Sequence, residues 1–340
     1  MSLIVILKPK VTEETIDRVC ERIRELGLAP HVSRGDLRTV IGAIGDEAAL
    51  KQDKLEQIEG VDSVTPITKP YKLASRDFHA DDTVIEVRGV KIGGPHAAII
   101  AGPCAIESHA LLFEVARQVK EAGAAVLRGG AFKPRTSPYA FQGMGYEGLQ
   151  LLREAGDQLD MPVVTEVIDP RDVARVSDYT DILQVGARNM QNYNLLMEVG
   201  RTDKPVFLKR GLSATIQELL MSVEYIMSEG NHRVIVCERG IRTFETSTRF
   251  TLDIAAVPVL LRESHLPVYV DPSHAAGKRD FVADLARAGI AAGAHGVIVE
   301  VHSNPDQALC DGPQALLPLE FSRLMQQLRS IATICGKTMA

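Results

Sequence analysis

Tryptophan is missing from this sequence, and tyrosine and phenylalanine supply only 5% of its 340 residues. A stacking platform for single-stranded nucleic acid therefore has little to be built from. Positive charge is not in excess either. Lysine and arginine number 38 against 44 aspartates and glutamates, a formal charge of −6, which gives no reason to expect nucleic acid or an anionic membrane as partner. No apolar run reaches the ~18 residues of a membrane span, and Met1 to Lys10 lacks the regions of a secretory signal, so the expected compartment is the cytoplasm. Cysteine is scarce. Cys20, Cys104, Cys237, Cys310 and Cys335 are an odd number scattered through a long chain, which argues against a disulfide framework and leaves thiols free for a metal or a nucleophilic role. What remains is an ordinary globular composition, 45% hydrophobic and 24% charged, sufficient for one large domain or for a large and a small one.

Ile4-Val5-Ile6-Leu7 reads as a strand. Thr12 with Glu13 and Glu14 reads as the N-cap and acidic first turn of a helix whose apolar positions Ile16, Val19, Ile23 and Leu26 keep helical spacing up to Gly27. Strand-like Leu28 to Val32, Thr39 to Ile44 and Val61 to Ile67, with a helical Glu47 to Ile58, complete a βαββαβ order over residues 1–70, the ferredoxin-like pattern of a small domain. Residues 71–96 read as a linker and a short β-hairpin around Arg88-Gly89. Over residues 97–340, eight apolar runs alternate with helical patterns: Ala98 to Ala101, Ala125 to Leu127, Val163 to Thr165, Ile182 to Val185, Val206 to Leu208, Val234 to Val236, Val268 to Val270 and Val297 to Val299. Short, β-branched and non-alternating, they suit strands buried on both faces of a parallel sheet. Eight such units predict an α/β fold, a (β/α)8 TIM barrel of the usual ~250 residues. An open doubly wound sheet fits less well, since Ala101-Gly102-Pro103-Cys104 is no dinucleotide fingerprint.

In such a barrel the chemistry sits at the carboxyl ends of the strands, and here the residues directly after each run are consistently polar. Cys104, His274, Glu300 and Asp311 come from the ends of neighbouring strands and are candidate ligands of one metal. One thiolate, one imidazole and two carboxylates suit a borderline divalent ion, Mn²⁺, Fe²⁺, Co²⁺ or Zn²⁺, better than Mg²⁺ or Ca²⁺. Taken singly, each of the four also reads as a packed thiol, a hydrogen-bonded loop histidine or a solvated carboxylate, and no compact zinc-type spacing is present. Arg128, Lys133, Arg135, Arg188, Lys209 and Arg239 form a second set, six cations from four loops of an acidic protein. Unpaired charge in a barrel mouth is costly, so an anionic ligand is the natural partner, with ion pairs to Glu166, Glu238 and Asp271 as the alternative.

The segments that carry these residues, Ala101-Gly-Pro-Cys104, Leu127-Arg-Gly-Gly-Ala-Phe-Lys-Pro-Arg-Thr-Ser137, Gly186-Ala-Arg-Asn189, Leu208-Lys-Arg-Gly211, Cys237-Glu-Arg-Gly240, Asp271-Pro-Ser-His274 and Ile298-Val-Glu-Val-His302, resemble the 3-deoxy-7-phosphoheptulonate synthase family, which opens the shikimate pathway. The resemblance covers essentially the whole chain, and its βαββαβ extension looks like the regulatory domain of one subclass. It implies condensation of phosphoenolpyruvate with erythrose 4-phosphate and release of phosphate. Cys104, His274, Glu300 and Asp311 would be the metal ligands, and Arg128, Lys133, Arg188, Lys209 and Arg239 would surround phosphoenolpyruvate. Arg135, Thr136 and Ser137 would meet erythrose 4-phosphate. Lys133 is the candidate general acid and Glu166 the candidate for orienting water. The same resemblance implies feedback by tyrosine or phenylalanine, with His31 and Ser33 as candidate effector contacts, and a homotetramer is the expected assembly.

Three other readings remain open at this point. A 3-deoxy-manno-octulosonate 8-phosphate synthase is disfavoured by Lys133-Pro-Arg-Thr-Ser137 and by the N-terminal domain. A Schiff-base aldolase would use Lys209 as nucleophile. An amino-acid sensor would carry an inert barrel, against which the intact ligand set argues.

Overall fold

β1 (Ser2–Leu7) is the central strand of a four-stranded antiparallel sheet, flanked by β3 (Thr39–Ile44) and β4 (Val61–Ile67), with β2 (Ala29–Arg34) outside β3. The computed structural model describes residues 2–34, 39–44, 55–67, 69–134 and 137–340. Of the helix expected at Glu47 to Ile58, residues 47–54 lie outside the described residues. The helix α1 (Glu13–Glu25) starts where Thr12 Oγ1 accepts from Thr15 N at 3.3 Å and ends at Gly27, whose φ of +77° favours glycine. Ile16, Val19 and Ile23 of α1 pack against Leu3, Val5 and Leu7 of β1. Fully buried side chains of this size contribute roughly 1.5–3 kcal/mol each, and that burial holds a helix too short to persist alone. The strand order β2-β3-β1-β4 is that of a ferredoxin-like unit.

The chain packs as two units, residues 1–82 with Arg262–His265, and residues 83–261 with 266–340. The second is the (β/α)8 barrel. Its parallel strands are β7 (His96–Gly102), β8 (Val126–Arg128), β9 (Val163–Glu166), β10 (Ile182–Val185), β11 (Val206–Lys209), β12 (Val234–Glu238), β13 (Val268–Val270) and β14 (Gly296–Glu300), and each apolar run named from the sequence coincides with one of them to within two residues at its start. Pairing of β14 with β7 closes the cylinder and sets Glu300 opposite Gly102. A Cβ on Gly102 would lie 2.1 Å from the Arg128 carbonyl oxygen, so only glycine lets β7 leave the barrel at this point, two residues before Cys104.

The short hairpin of β5 (Ile85–Val87) and β6 (Val90–Ile92) is more than a connector. Ile85, Val87 and Ile92 join Ala98, Phe207, Tyr269 and Ile298 in one buried cluster, in which the Phe207 and Tyr269 rings meet edge to face at 5.3 Å. The interior is thereby filled with apolar side chains, and the chemistry is left to the carboxyl ends of the strands.

Candidate active site

Those ends open on a cavity of about 280 Å³. Arg128, Lys133, Ser137, Glu166, Arg188, Lys209, Arg239, His274 and Asp311 line it, all of them residues singled out by the sequence. Cys104 and Glu300 touch this lining: Cys104 Sγ lies 3.1 Å from Lys133 Nζ, and Glu300 Oε1 accepts from Arg128 NH1 at 2.8 Å. Arg135 and Thr136 lie outside the described residues. His31 and Ser33 stand on β2 in the small unit, where Ser33 Oγ is 2.7 Å from Nδ1 of His79.

The four expected ligands converge. Their donor atoms all lie within 4.8 Å of one another, with Cys104 Sγ 3.4 Å from Asp311 Oδ2 and His274 Nε2 3.3 Å from Glu300 Oε1. Local structure explains the aim of His274. Asp271 caps the short helix Pro272–Ala276 by accepting from the His274 amide at 3.0 Å, and its other oxygen lies 2.8 Å from His274 Nδ1. The ring therefore turns Nε2 toward the cluster, the carboxylate–histidine arrangement that orients metal-binding imidazoles. Burial holds the imidazole below its ordinary pKa, against the pull of Asp271 and Glu300. Burial works to raise Glu300, yet the positive charges around it, His274 when protonated and the Arg128 and Lys133 cations, bring it down to about 2. It is a carboxylate at any pH at which the protein works.

The cations divide into two groups. Arg128 is paired with Glu300 and Lys209 with Asp271, both deep in the fold. The pair with Asp271 occupies Lys209 Nζ, the atom that a Schiff base would need. Glu238, offered by the sequence as a counter-ion to the mouth, is used elsewhere, accepting from Arg210 NH1 at 2.8 Å. Arg239 is different: it is 5% exposed, its NH1 has no hydrogen-bond partner among the described residues, and its guanidinium lies 4.4 Å from the centre of the Phe250 ring. Burial pulls its pKa below the ordinary arginine value. A bound anion would reverse that penalty, which is what a site for a phosphate or carboxylate group requires.

Three polar residues of this site carry no signal in the sequence motifs. Gln184, the one amide in the buried strand β10, donates to Glu166 Oε2 at 3.3 Å. Arg249 lines the cavity and lies 3.5 Å from Asp311, and the buried Gln314 donates to Glu300 Oε2 at 2.7 Å. A lone polar residue within an apolar strand was the available clue to Gln184.

Comparison with known proteins agrees with this geometry. Residues 76–334 match the DAHP synthetase I family model, and residues 3–69 match that of the DAHP synthase ferredoxin-like domain. The chain is 53% identical over 334 residues to a phospho-2-dehydro-3-deoxyheptonate aldolase of Thermotoga maritima, covering 98% of this chain and 99% of the relative. It is 35% identical to a 2-dehydro-3-deoxyphosphooctonate aldolase of Syntrophobacter fumaroxidans over 74% of this chain and 93% of that one. A crystal structure of the Thermotoga maritima DAHP synthase superposes with a TM-score of 0.80 at 52% identity, over 100% of this chain and 99% of that one. A truncated form of a Thermotoga maritima synthase matches 79% of this chain and 99% of its own length at 50% identity and a TM-score of 0.75.

Proposed function

The chain belongs to the DAHP synthetase I family and is an enzyme with DAHP synthase activity, and we propose that it joins phosphoenolpyruvate to erythrose 4-phosphate with a divalent ion held by Cys104, His274, Glu300 and Asp311. The observation that carries this reading is the meeting of four donors of mixed softness beside a cavity lined by six cations. A thiolate, a neutral imidazole and two carboxylates fit Mn²⁺, Fe²⁺, Co²⁺ or Zn²⁺. When bound, such an ion supplies Lewis acidity toward the aldehyde oxygen.

The protein's own groups do the rest. Arg128, Arg188, Lys209 and Arg239 hold the carboxylate and phosphate of phosphoenolpyruvate, and Arg239 NH1 gains the partner it lacks. Arg135, Thr136 and Ser137 meet the aldose phosphate. As the methylene carbon of phosphoenolpyruvate attacks the aldehyde carbon, Lys133 donates the proton taken up by the new alkoxide. Glu166, steadied by Gln184, orients the water that adds to the enol ether carbon. Collapse of that adduct releases inorganic phosphate and leaves the ketone of the heptulosonate product. Phosphoenolpyruvate-dependent phosphate release, measured with erythrose 4-phosphate and with arabinose 5-phosphate, tests the substrate: preference for the four-carbon sugar supports the reading, and preference for arabinose 5-phosphate overturns it.

On the same reading the product enters the shikimate pathway, and the enzyme works in the cytoplasm as a homotetramer under feedback by tyrosine or phenylalanine. The small unit supplies the effector site, with His31 and Ser33 on β2 as contacts, because none of the mouth residues belongs to it. Allostery requires an effector that binds two states unequally. Deletion of residues 1–70 is therefore expected to leave a soluble, active enzyme that tyrosine and phenylalanine no longer inhibit. Inhibition retained in steady-state assays of the truncated protein would place the effector site on the barrel.

A further inference from the structure

Each of the two carboxylates at the candidate metal centre has one oxygen turned inward and one turned away. Glu300 Oε1 is 3.3 Å from His274 Nε2, and Asp311 Oδ2 is 3.4 Å from Cys104 Sγ. The outer oxygens meet a different pair of side chains. Gln314 Nε2 donates to Glu300 Oε2 at 2.7 Å, Gln314 Oε1 accepts from Arg249 NH1 at 3.2 Å, and the same NH1 lies 3.5 Å from Asp311 Oδ1. Chemistry fixes the direction of this chain. A flipped Gln314 amide would set its carbonyl against the Glu300 carboxylate and its NH₂ against the guanidinium.

A carboxylate with one free oxygen rotates, and a partner on that oxygen stops it. For Glu300 the Gln314 amide on Oε2 adds to the hold of Arg128 on Oε1, and for Asp311 the Arg249 guanidinium is the partner on Oδ1. Gln314 is 2% exposed, so its hydrogen bonds to Glu300 and Arg249 are not exchanged for bonds to water. Two backbone features belong to the same device. Asp311 is a non-glycine residue at φ +51°, a conformation that costs of the order of 1–2 kcal/mol and persists only where neighbours enforce it. A Cβ at Gly277 would stand 2.6 Å from Arg249 Cβ, so the glycine clears the path along which Arg249 reaches Asp311.

We propose that Gln314 and Arg249 are positioning residues of the metal centre, which together hold the outer oxygens of Glu300 and Asp311 and so present the inner ones to the ion. The proposal rests on the reading that these four side chains bind a divalent metal. Its consequence is specific. Outer-sphere partners of this kind govern metal affinity by roughly 10–100-fold. Arg249 also lines the cavity, so it ties the ligand set to the anion-binding mouth, whereas Gln314 is absent from the lining and acts through Glu300 and Arg249 alone.

The test is calorimetric titration of Mn²⁺ into metal-free full-length protein, wild type against Gln314→Met and Arg249→Met, with the absorption spectrum of the Co²⁺ form and the thermal midpoint of the metal-free form as companion readouts. Both variants are expected to bind Mn²⁺ about 10–100-fold more weakly and to shift the Co²⁺ bands while the metal-free form stays folded at the titration temperature. Arg249→Lys, which keeps the charge, is expected to recover part of the loss. Should Gln314→Met fail to fold, Arg249→Met carries the test, because Arg249 is 39% exposed. Wild-type Mn²⁺ affinity and Co²⁺ spectra in the variants overturn the positioning role while leaving the metal reading intact. Absence of Mn²⁺ binding by the wild type overturns the metal reading, and this inference with it.

Discussion

Replacing Cys104 or His274 by alanine is expected to lower turnover by at least ~10³-fold, because an ion that polarises the aldehyde is worth several kcal/mol and each 1.36 kcal/mol is tenfold in rate. Chelation should abolish activity to the same degree, and Mn²⁺ should restore it in the wild type but not in the variants. The loss should come without unfolding. Cys104 and His274 stand on loops and a short helix at the barrel mouth, while the barrel has its own core of apolar side chains beneath them. Metal content by elemental analysis and turnover should fall together. Full turnover in demonstrably metal-free protein would remove the ion from the mechanism.

The second large effect concerns a thiol that the reaction does not use. Cys310 is buried beside Cys104, with the two sulfurs 3.3 Å apart, about 1.3 Å more than a disulfide bond. A hydrogen bond joins them and unequally shifts the pair. That bond and burial push Cys104 up, while the same bond brings Cys310 below the ordinary thiol value. A metal on Cys104 occupies the sulfur and blocks the chemistry. Without it, dissolved oxygen can take two electrons and two protons from the pair as the sulfur–sulfur bond forms. Metal-free enzyme exposed to air is therefore expected to lose essentially all of the activity that Mn²⁺ would restore, and to regain it when dithiol treatment precedes Mn²⁺. Peptide mapping should find the bridge between Cys104 and Cys310. Equal inactivation of Cys310→Ser, with the same reversal by dithiol, would rule the bridge out.

Much of this was legible because burial writes itself into sequence. Strands covered on both faces must be apolar throughout, so Val163-Val164-Thr165 and Val206-Phe207-Leu208 could be read as inner strands without any tertiary information. The places of Cys104, Arg128, Lys209, His274 and Glu300 at or just after strand ends then marked them as mouth residues. The hairpin at 85–92 was legible as a hairpin, but not as part of the barrel's filling, since three-residue strands say nothing about what they cover. Charge pairing was the least legible feature. Whether a strand-end cation is neutralised depends on side chains more than a hundred positions away, as with Arg128 and Glu300, and nothing local to Arg239 announces that its NH1 has no hydrogen-bond partner among the described residues. Gln314 and Arg249 escaped for the same reason: their importance lies in contacts between the loop after β12 and the end of β14 with the loop beyond it, not in a motif.

The most direct measurement is an anomalous-difference map from crystals of the Mn²⁺-loaded protein, collected alongside metal-free crystals. A single peak is expected about 2.0–2.4 Å from Cys104 Sγ, His274 Nε2 and one oxygen each of Glu300 and Asp311, and absent from the metal-free form. A peak elsewhere, or none at these four side chains in crystals whose dissolved protein is fully active, would contradict a metal-dependent reaction at this mouth.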